Sequence, residues 1–154
     1  MGIDRASGRD RTDARHLAMQ IPKGIVFIAL GTCLLIGAGF NVQWTREFLR
    51  TSIVVPGRVV KLNAGRHHPE VAFTTRAGEH VEYPQGGAVS VEDGAAVEVR
   101  YAADAPSMTA RLNTFGAIWG DALFLAGMGS AFFLGGAAQL RSGLRARRER
   151  RTRD

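Results

Sequence analysis

The sequence predicts a membrane α+β protein: two transmembrane helices flanking a small antiparallel β domain of about five strands, a sheet or partly open barrel. Three observations predict it. Two apolar stretches, Ile25 to Phe40 and Ile118 to Leu140, approach or exceed the length needed to cross a bilayer. Arginine-rich segments lie outside both of them. Between them, short runs alternate apolar and polar residues with the period of two expected of half-buried strands. Bulk composition hides this layout. A 154-residue chain with 45% hydrophobic and 22% charged residues looks soluble; here the apolar residues are concentrated rather than spread.

The chain opens with a basic head, residues 1–20, carrying Arg5, Arg9, Arg11 and Arg15. As a helix, Ile25–Phe40 is about 24 Å long, short of a hydrocarbon core of about 30 Å. A first span over residues 21–44 closes the gap. Pro22 then falls in the first turn, where its missing N–H costs nothing, and Lys23 can reach the headgroups. Trp44 sits at the far interface, a position that suits an indole. A cleaved signal peptide is the competing reading. Gly37-Ala38-Gly39 is a weak cleavage signal, and the apolar run exceeds the length of a signal-peptide core.

The β domain is predicted over residues 51–112. Ile53–Leu62 is rich in Val, and Pro56-Gly57 suggests a bulge or an edge position. Val71–Thr75 and Glu79–Tyr83 alternate, as does Val97–Tyr101; Met108–Leu112 is a weaker fifth strand. The first hairpin has a definable register. Residues opposite each other in a sheet share a face. A two-residue turn at Ala77-Gly78 opposes Phe73 to Glu82 and mixes faces. A three-residue loop, Arg76-Ala77-Gly78, opposes Phe73 to Val81 and Val71 to Tyr83, with Gly78 as the left-handed residue of a bulge. That loop is the prediction, and it turns His80 and Glu82 outward. Pro84 to Ala95 is the longest loop and is expected to be the most mobile part.

The second span is predicted over residues 115–140, with Trp119 at its outer interface. Ile118–Leu140 alone covers about 34 Å. Asp121 lies within about a turn of that interface and reads as a wetted end position; the competing reading pairs it with Arg46 or Arg50. An Arg-rich tail, residues 141–154, follows, and its helical spacing continues the span for some turns. Basic residues flanking spans set orientation. Both termini are therefore expected in the cytoplasm of a cell with the plasma (inner) membrane crossed twice, and the β domain outside. The middle is neutral: Arg46, Arg50, Arg58, Lys61, Arg66, Arg76, Arg100 and Arg111 balance Glu47, Glu70, Glu79, Glu82, Glu92, Asp93, Glu98 and Asp104. Both spans carry small residues four apart: Ala29, Cys33 and Gly37, then Gly127, Ala131 and Gly135. Such faces allow close helix approach, which places Ala131 at a predicted contact within the chain or between protomers. Cys33 is the only cysteine, so no internal disulfide is available.

In the order Gly57-x-Val59-Val60, Pro69-x-Val71-x-Phe73-x-Thr75-x-x-Gly78, Gly94-x-x-Val97-x-Val99-x-Tyr101, Pro106 with Ala110, and Trp119, the chain resembles the bacterial membrane proteins grouped as Domain of Unknown Function 3592. The likeness covers about Ile25 to Leu140. It implies a small extracytoplasmic β domain between two membrane helices, and it implies no activity or site. Two places depart from the family pattern: the turn Tyr101-Ala-Ala-Asp-Ala-Pro106, and His67-His68 where an aromatic residue is usual.

No nucleophile elbow, HExxH, CxxC, Walker loop or complete GxGxxG is present. His67, His68, His80, Glu70 and Glu82 form the one cluster worth weighing for a metal, and they read as solvated surface residues. No catalytic, cofactor-binding or metal-binding residue is assigned, and no cofactor. The Arg-rich tail suits contact with anionic lipid better than with nucleic acid. The expected function is that of a non-enzymatic binding or assembly module, its partner a protein or a second copy of itself. Two alternatives stand beside it: a histidine-based metal-dependent activity on the outer face, and an immunity-type protein guarding the envelope against a toxin.

Overall fold

A computed structural model describes residues 4–63, 67–86 and 89–152, with side chains from Ile21 onward, residue 150 excepted. The head arginines, Arg66, Gly87, Arg150 and Arg153 thus lie outside the described side chains. The elements run α1 (Asp4–Thr51), β1 (Ile53–Leu62), β2 (Pro69–Thr74), β3 (His80–Pro84), β4 (Ala96–Tyr101), α2 (Pro106–Thr109), β5 (Arg111–Leu112) and α3 (Phe115–Arg151). They form two compact units, residues 1–37 with 125–154, and residues 38–124.

The first unit is a helix pair. α1 and α3 each contain a stretch long and apolar enough to cross a membrane. α1 passes through Pro22 instead of starting there, so the head is helical from Asp4. α3 continues through the basic tail to Arg151, as the tail's spacing predicts. The two helices run antiparallel where they touch: Gly24 meets Gly136 and Leu140, and Gly31 meets Gly129 and Phe133.

This packing face differs from the one the four-residue spacing predicts. Ala29, Cys33, Gly127, Ala131 and Gly135 are exposed, and a Cβ added at Gly37, Gly127 or Gly135 would meet nothing within 4 Å. The buried small residues lie seven apart: Gly24, Gly31, Ala38 and Thr45 in α1, and Ala122, Gly129, Gly136 and Gly143 in α3. A seven-residue repeat keeps one stripe facing a partner through a left-handed supercoil. Glycines are dense enough in both helices to write two stripes, and the four-residue stripe is the one left outside. Phe27 and Phe132 pack beside the seam with ring centroids 5.7 Å apart.

The second unit holds a five-stranded antiparallel sheet of order β3-β2-β1-β4-β5. Inward residues of every strand meet in one core: Val55 and Val59, Val71 and Phe73, Val81 and Tyr83, Val99 and Tyr101, and Leu112. The Phe73 ring packs edge-on to Tyr83 at 6.0 Å and tilted to Tyr101 at 5.3 Å. The Tyr101 hydroxyl accepts the Arg76 N–H at 2.8 Å, tying the first hairpin to the end of β4. β3 and β5 are the two edges of the sheet, yet the Leu112 N–H donates to Gln85 Oε1 at 2.8 Å. The sheet is therefore curled into a partly open barrel whose seam is bridged by a side chain.

The hairpin register is the predicted one. Phe73 pairs with Val81 and Val71 with Tyr83; Gly78 has φ +86°. The Thr75 N–H donates to the Glu79 carbonyl at 2.8 Å and closes the loop. We expect Gly78→Val to destabilise the β domain by about 1 kcal/mol or more, since a β-branched residue resists positive φ, with Ala77→Ser nearly silent. Limited proteolysis of both variants reads the difference.

Three features depart from the sequence reading. β1 is the central strand, but the β1–β2 ladder stops at Gly57, so Pro56 pairs with β4 alone and its nitrogen, which has no hydrogen to donate, sits at a local edge and not at a bulge. The bulge falls instead at Val60, between Val59 and Lys61. The fifth strand shrinks to Arg111–Leu112, because Pro106 starts a single helical turn with the Thr109 hydroxyl donating back to the Ala105 carbonyl at 2.6 Å. In the long loop after β3, Gln85 and Val89 are buried, and Val89 joins the core. Gln85→Leu strands the buried Leu112 N–H, so a loss of about 1–3 kcal/mol is expected in thermal melts of the purified chain.

Candidate functional site

The β domain's outer face offers a shallow depression of about 450 Å³. Alternation along the strands builds it. Residues whose neighbours point into the barrel point out: Pro56 and Arg58 of β1, Ala72 and Thr74 of β2, His80 and Glu82 of β3. The same alternation turns Val60 outward at the bulge: it is 44% exposed although its neighbour Val59 is buried. Ala72 is the floor, with a relative exposure of 9%. Pro56 and Val60 make apolar walls, and Arg58, Thr74 and His80 a polar rim. His80 Nε2 lies 3.5 Å from Glu82 Oε1, and Arg58 donates to the Gly94 carbonyl at 3.1 Å. An apolar centre inside a polar rim is the usual anatomy of a protein-binding patch. The sequence pointed to His80 and Glu82 as outward residues; Ala72, which pairs with Glu82, and Val60, which follows inward Val59, share that face by the same alternation but were not singled out.

The five residues weighed for a metal do not come together. His80 and Glu82 are neighbours on β3, whereas His67 Nδ1 lies 2.8 Å from the Val89 carbonyl and must carry a proton there. Glu70 accepts from Asn63 at 3.3 Å. Among the described residues no three His, Cys, Asp or Glu side chains are placed to share an ion. Asp121 is exposed, and among the described residues it pairs with neither Arg46 nor Arg50.

Two arginines hold the base of the barrel. Arg100 donates to Asn113 Oδ1, Ser52 Oγ and the Leu49 carbonyl, which lies in the last turn of α1. Arg111, its cross-strand partner, lies 4.6 Å over the Phe48 ring. The Tyr83 hydroxyl is buried without a hydrogen-bond partner among the described residues. Burial pushes its phenol well above the ordinary range, with Arg111 pulling weakly the other way, so it stays neutral. Nothing here is poised for acid–base work; these groups join the sheet to the helix ends.

The fold defines a class: a small curled antiparallel β sheet lying in the chain between two long apolar helices. No known family profile and no solved structure matches the chain. It is 41% identical over 108 residues to the immune protein Tsi4 of Pseudomonas aeruginosa strain PAO1, over 70% of this chain and 74% of that protein. The chain belongs to the family of that immune protein. Membership agrees with the expectation that it is not an enzyme, and it favours the immunity-type alternative over a general assembly module.

Proposed function

We propose that this chain is an immunity protein: it binds a toxin that acts at the cell envelope and keeps the toxin from harming the cell that makes both. The single observation that carries this is the 41% identity to an immune protein across most of both chains. The binding patch fits the role, because neutralisation by a non-enzyme requires a surface and no chemistry.

The helices are membrane spans in this reading. Their outer faces expose Val26, Phe40 and Trp44 in α1, and Phe124 and Leu134 in α3, at 62% to 80%. So much exposed large apolar surface is stable in lipid and not in water. Both termini lie in the cytoplasm and the β domain outside, following the arginines. A reporter fused after Asp154 should behave as cytoplasmic. A cysteine at exposed Glu92, with Cys33→Ser, should react with an impermeant maleimide added outside intact cells; protection there with an accessible tail reverses the orientation.

Immunity itself is tested by competition. A strain lacking the chain should be killed by otherwise identical cells that retain it, and restored by the wild-type chain. Ala72→Glu, which places a charge on the floor of the patch, should restore it poorly at equal membrane abundance. Equal survival of the deletion strain removes the immunity reading; full rescue by Ala72→Glu moves the binding site off this face.

A further inference from the structure

We infer that the cytoplasmic end of α3 is a binding site for acidic phospholipid headgroups, with a lipid carrying two phosphodiesters as its preferred occupant; this rests on the membrane reading above. Arg141, Arg145, Arg147, Arg148 and Arg151, with Leu144 among them, line one space of about 760 Å³. Helical spacing explains the convergence of all but Arg147, which lies on the flank. Residues 141, 145 and 148 recur every three or four positions and fall on one side, with 144 and 151 beside them. All five guanidinium-bearing side chains are exposed, and among the described residues none is paired with a carboxylate.

The chemistry of the site points to phosphate. Guanidinium groups present paired N–H donors that match phosphate oxygens. Five of them hold more charge than one phosphodiester neutralises. From Arg141 to Arg151 the helix rises about 15 Å, so the arginines form successive tiers, enough for two phosphates. Leu144, 49% exposed, adds an apolar side chain among the charges, which suits the glycerol and acyl portion of a lipid and not a free anion. The arginines also follow directly on the exposed apolar surface of α3, whose Phe133 and Leu134 lie only about two turns before Arg141. A span ending there sets Arg141 and Arg145 at headgroup depth.

The test uses the full chain purified in detergent and stripped of lipid, with native mass spectrometry reading retained lipid. Cardiolipin should bind most tightly, phosphatidylglycerol less, and phosphatidylcholine weakly. The double variant Arg145→Gln, Arg148→Gln should lose about thirtyfold in cardiolipin affinity, and Arg145→Lys, Arg148→Lys should lose less. An unchanged melting temperature in the glutamine variant shows that folding is intact. Equal binding of cardiolipin and phosphatidylcholine, or no effect of the glutamine pair, overturns the proposal. So does displacement of cardiolipin by equimolar inorganic phosphate, or tighter binding of a short RNA duplex. Carbonate extraction of membranes separates this from the parent reading. A chain that resists extraction but shows no lipid preference has lost only the headgroup site; a chain released by carbonate has lost its spans.

Discussion

Gly31→Leu is expected to break the contact between α1 and α3, while Ala131→Leu leaves it intact. A Cβ on Gly31 would lie 2.5 Å from the Phe133 backbone nitrogen and 2.7 Å from the Gly129 carbonyl oxygen. Both are main-chain atoms, so no rotamer change relieves the clash and the helices must separate. Ala131 is exposed and off the seven-residue stripe. Separation forfeits the close packing on which helix association in lipid depends, at about 1–3 kcal/mol or more. Disulfide crosslinking between cysteines placed at Phe27 and Phe132, whose rings pack 5.7 Å apart beside the seam, with Cys33→Ser, measures it. Crosslinking should fall sharply in Gly31→Leu and persist in Ala131→Leu; the reverse pattern would restore the four-residue face as the contact.

Gly57→Val is expected to cost the β domain about 3 kcal/mol. Gly57 occupies the inward row of the central strand, between Val55 and Val59. Its absent Cβ leaves room for Val99 Cγ2, which would otherwise lie 2.7 Å away, and for the Ala72 carbonyl, which would lie at 3.0 Å. The curl of the sheet draws β1 this close to its neighbours' inward groups, so a side chain here forces the barrel open. Val99→Ala removes the nearer obstacle and should recover part of the loss, giving a clear departure from additivity. Thermal melts of Gly57→Val, Val99→Ala and the double variant decide it. Simple additivity would mean that Gly57 is required for some other reason.

The layout of this chain was legible because helices and strands differ in period and because arginine and apolar runs are unmistakable at this length. The hairpin was legible to the residue: only one loop length keeps Phe73 and Val81 on one face, and only Gly78 suits the conformation that loop demands. The helix contact was misread because two small-residue stripes are written on the same helices, four apart and seven apart. Nothing local says which of them meets a partner. Gln85 looked like loop because its role depends on an N–H at the far edge of a curled sheet, 27 positions along. The floor of the outer depression was less visible. Ala72 and Val60 are unremarkable apolar residues; alternation puts them on the outer face, but only the assembled sheet shows that β1 and β2 bring them together around one depression.

Direct binding is the measurement closest to the central claim. The toxin that kills the deletion strain, purified, is titrated against the full chain in detergent micelles, and its mass is recorded before and after. The account predicts saturable binding, a loss of about tenfold or more with Ala72→Glu, equivalent to about 1.4 kcal/mol, and a toxin of unchanged mass. A toxin that does not bind, or one recovered cleaved or modified, would contradict an immunity protein that works by binding alone.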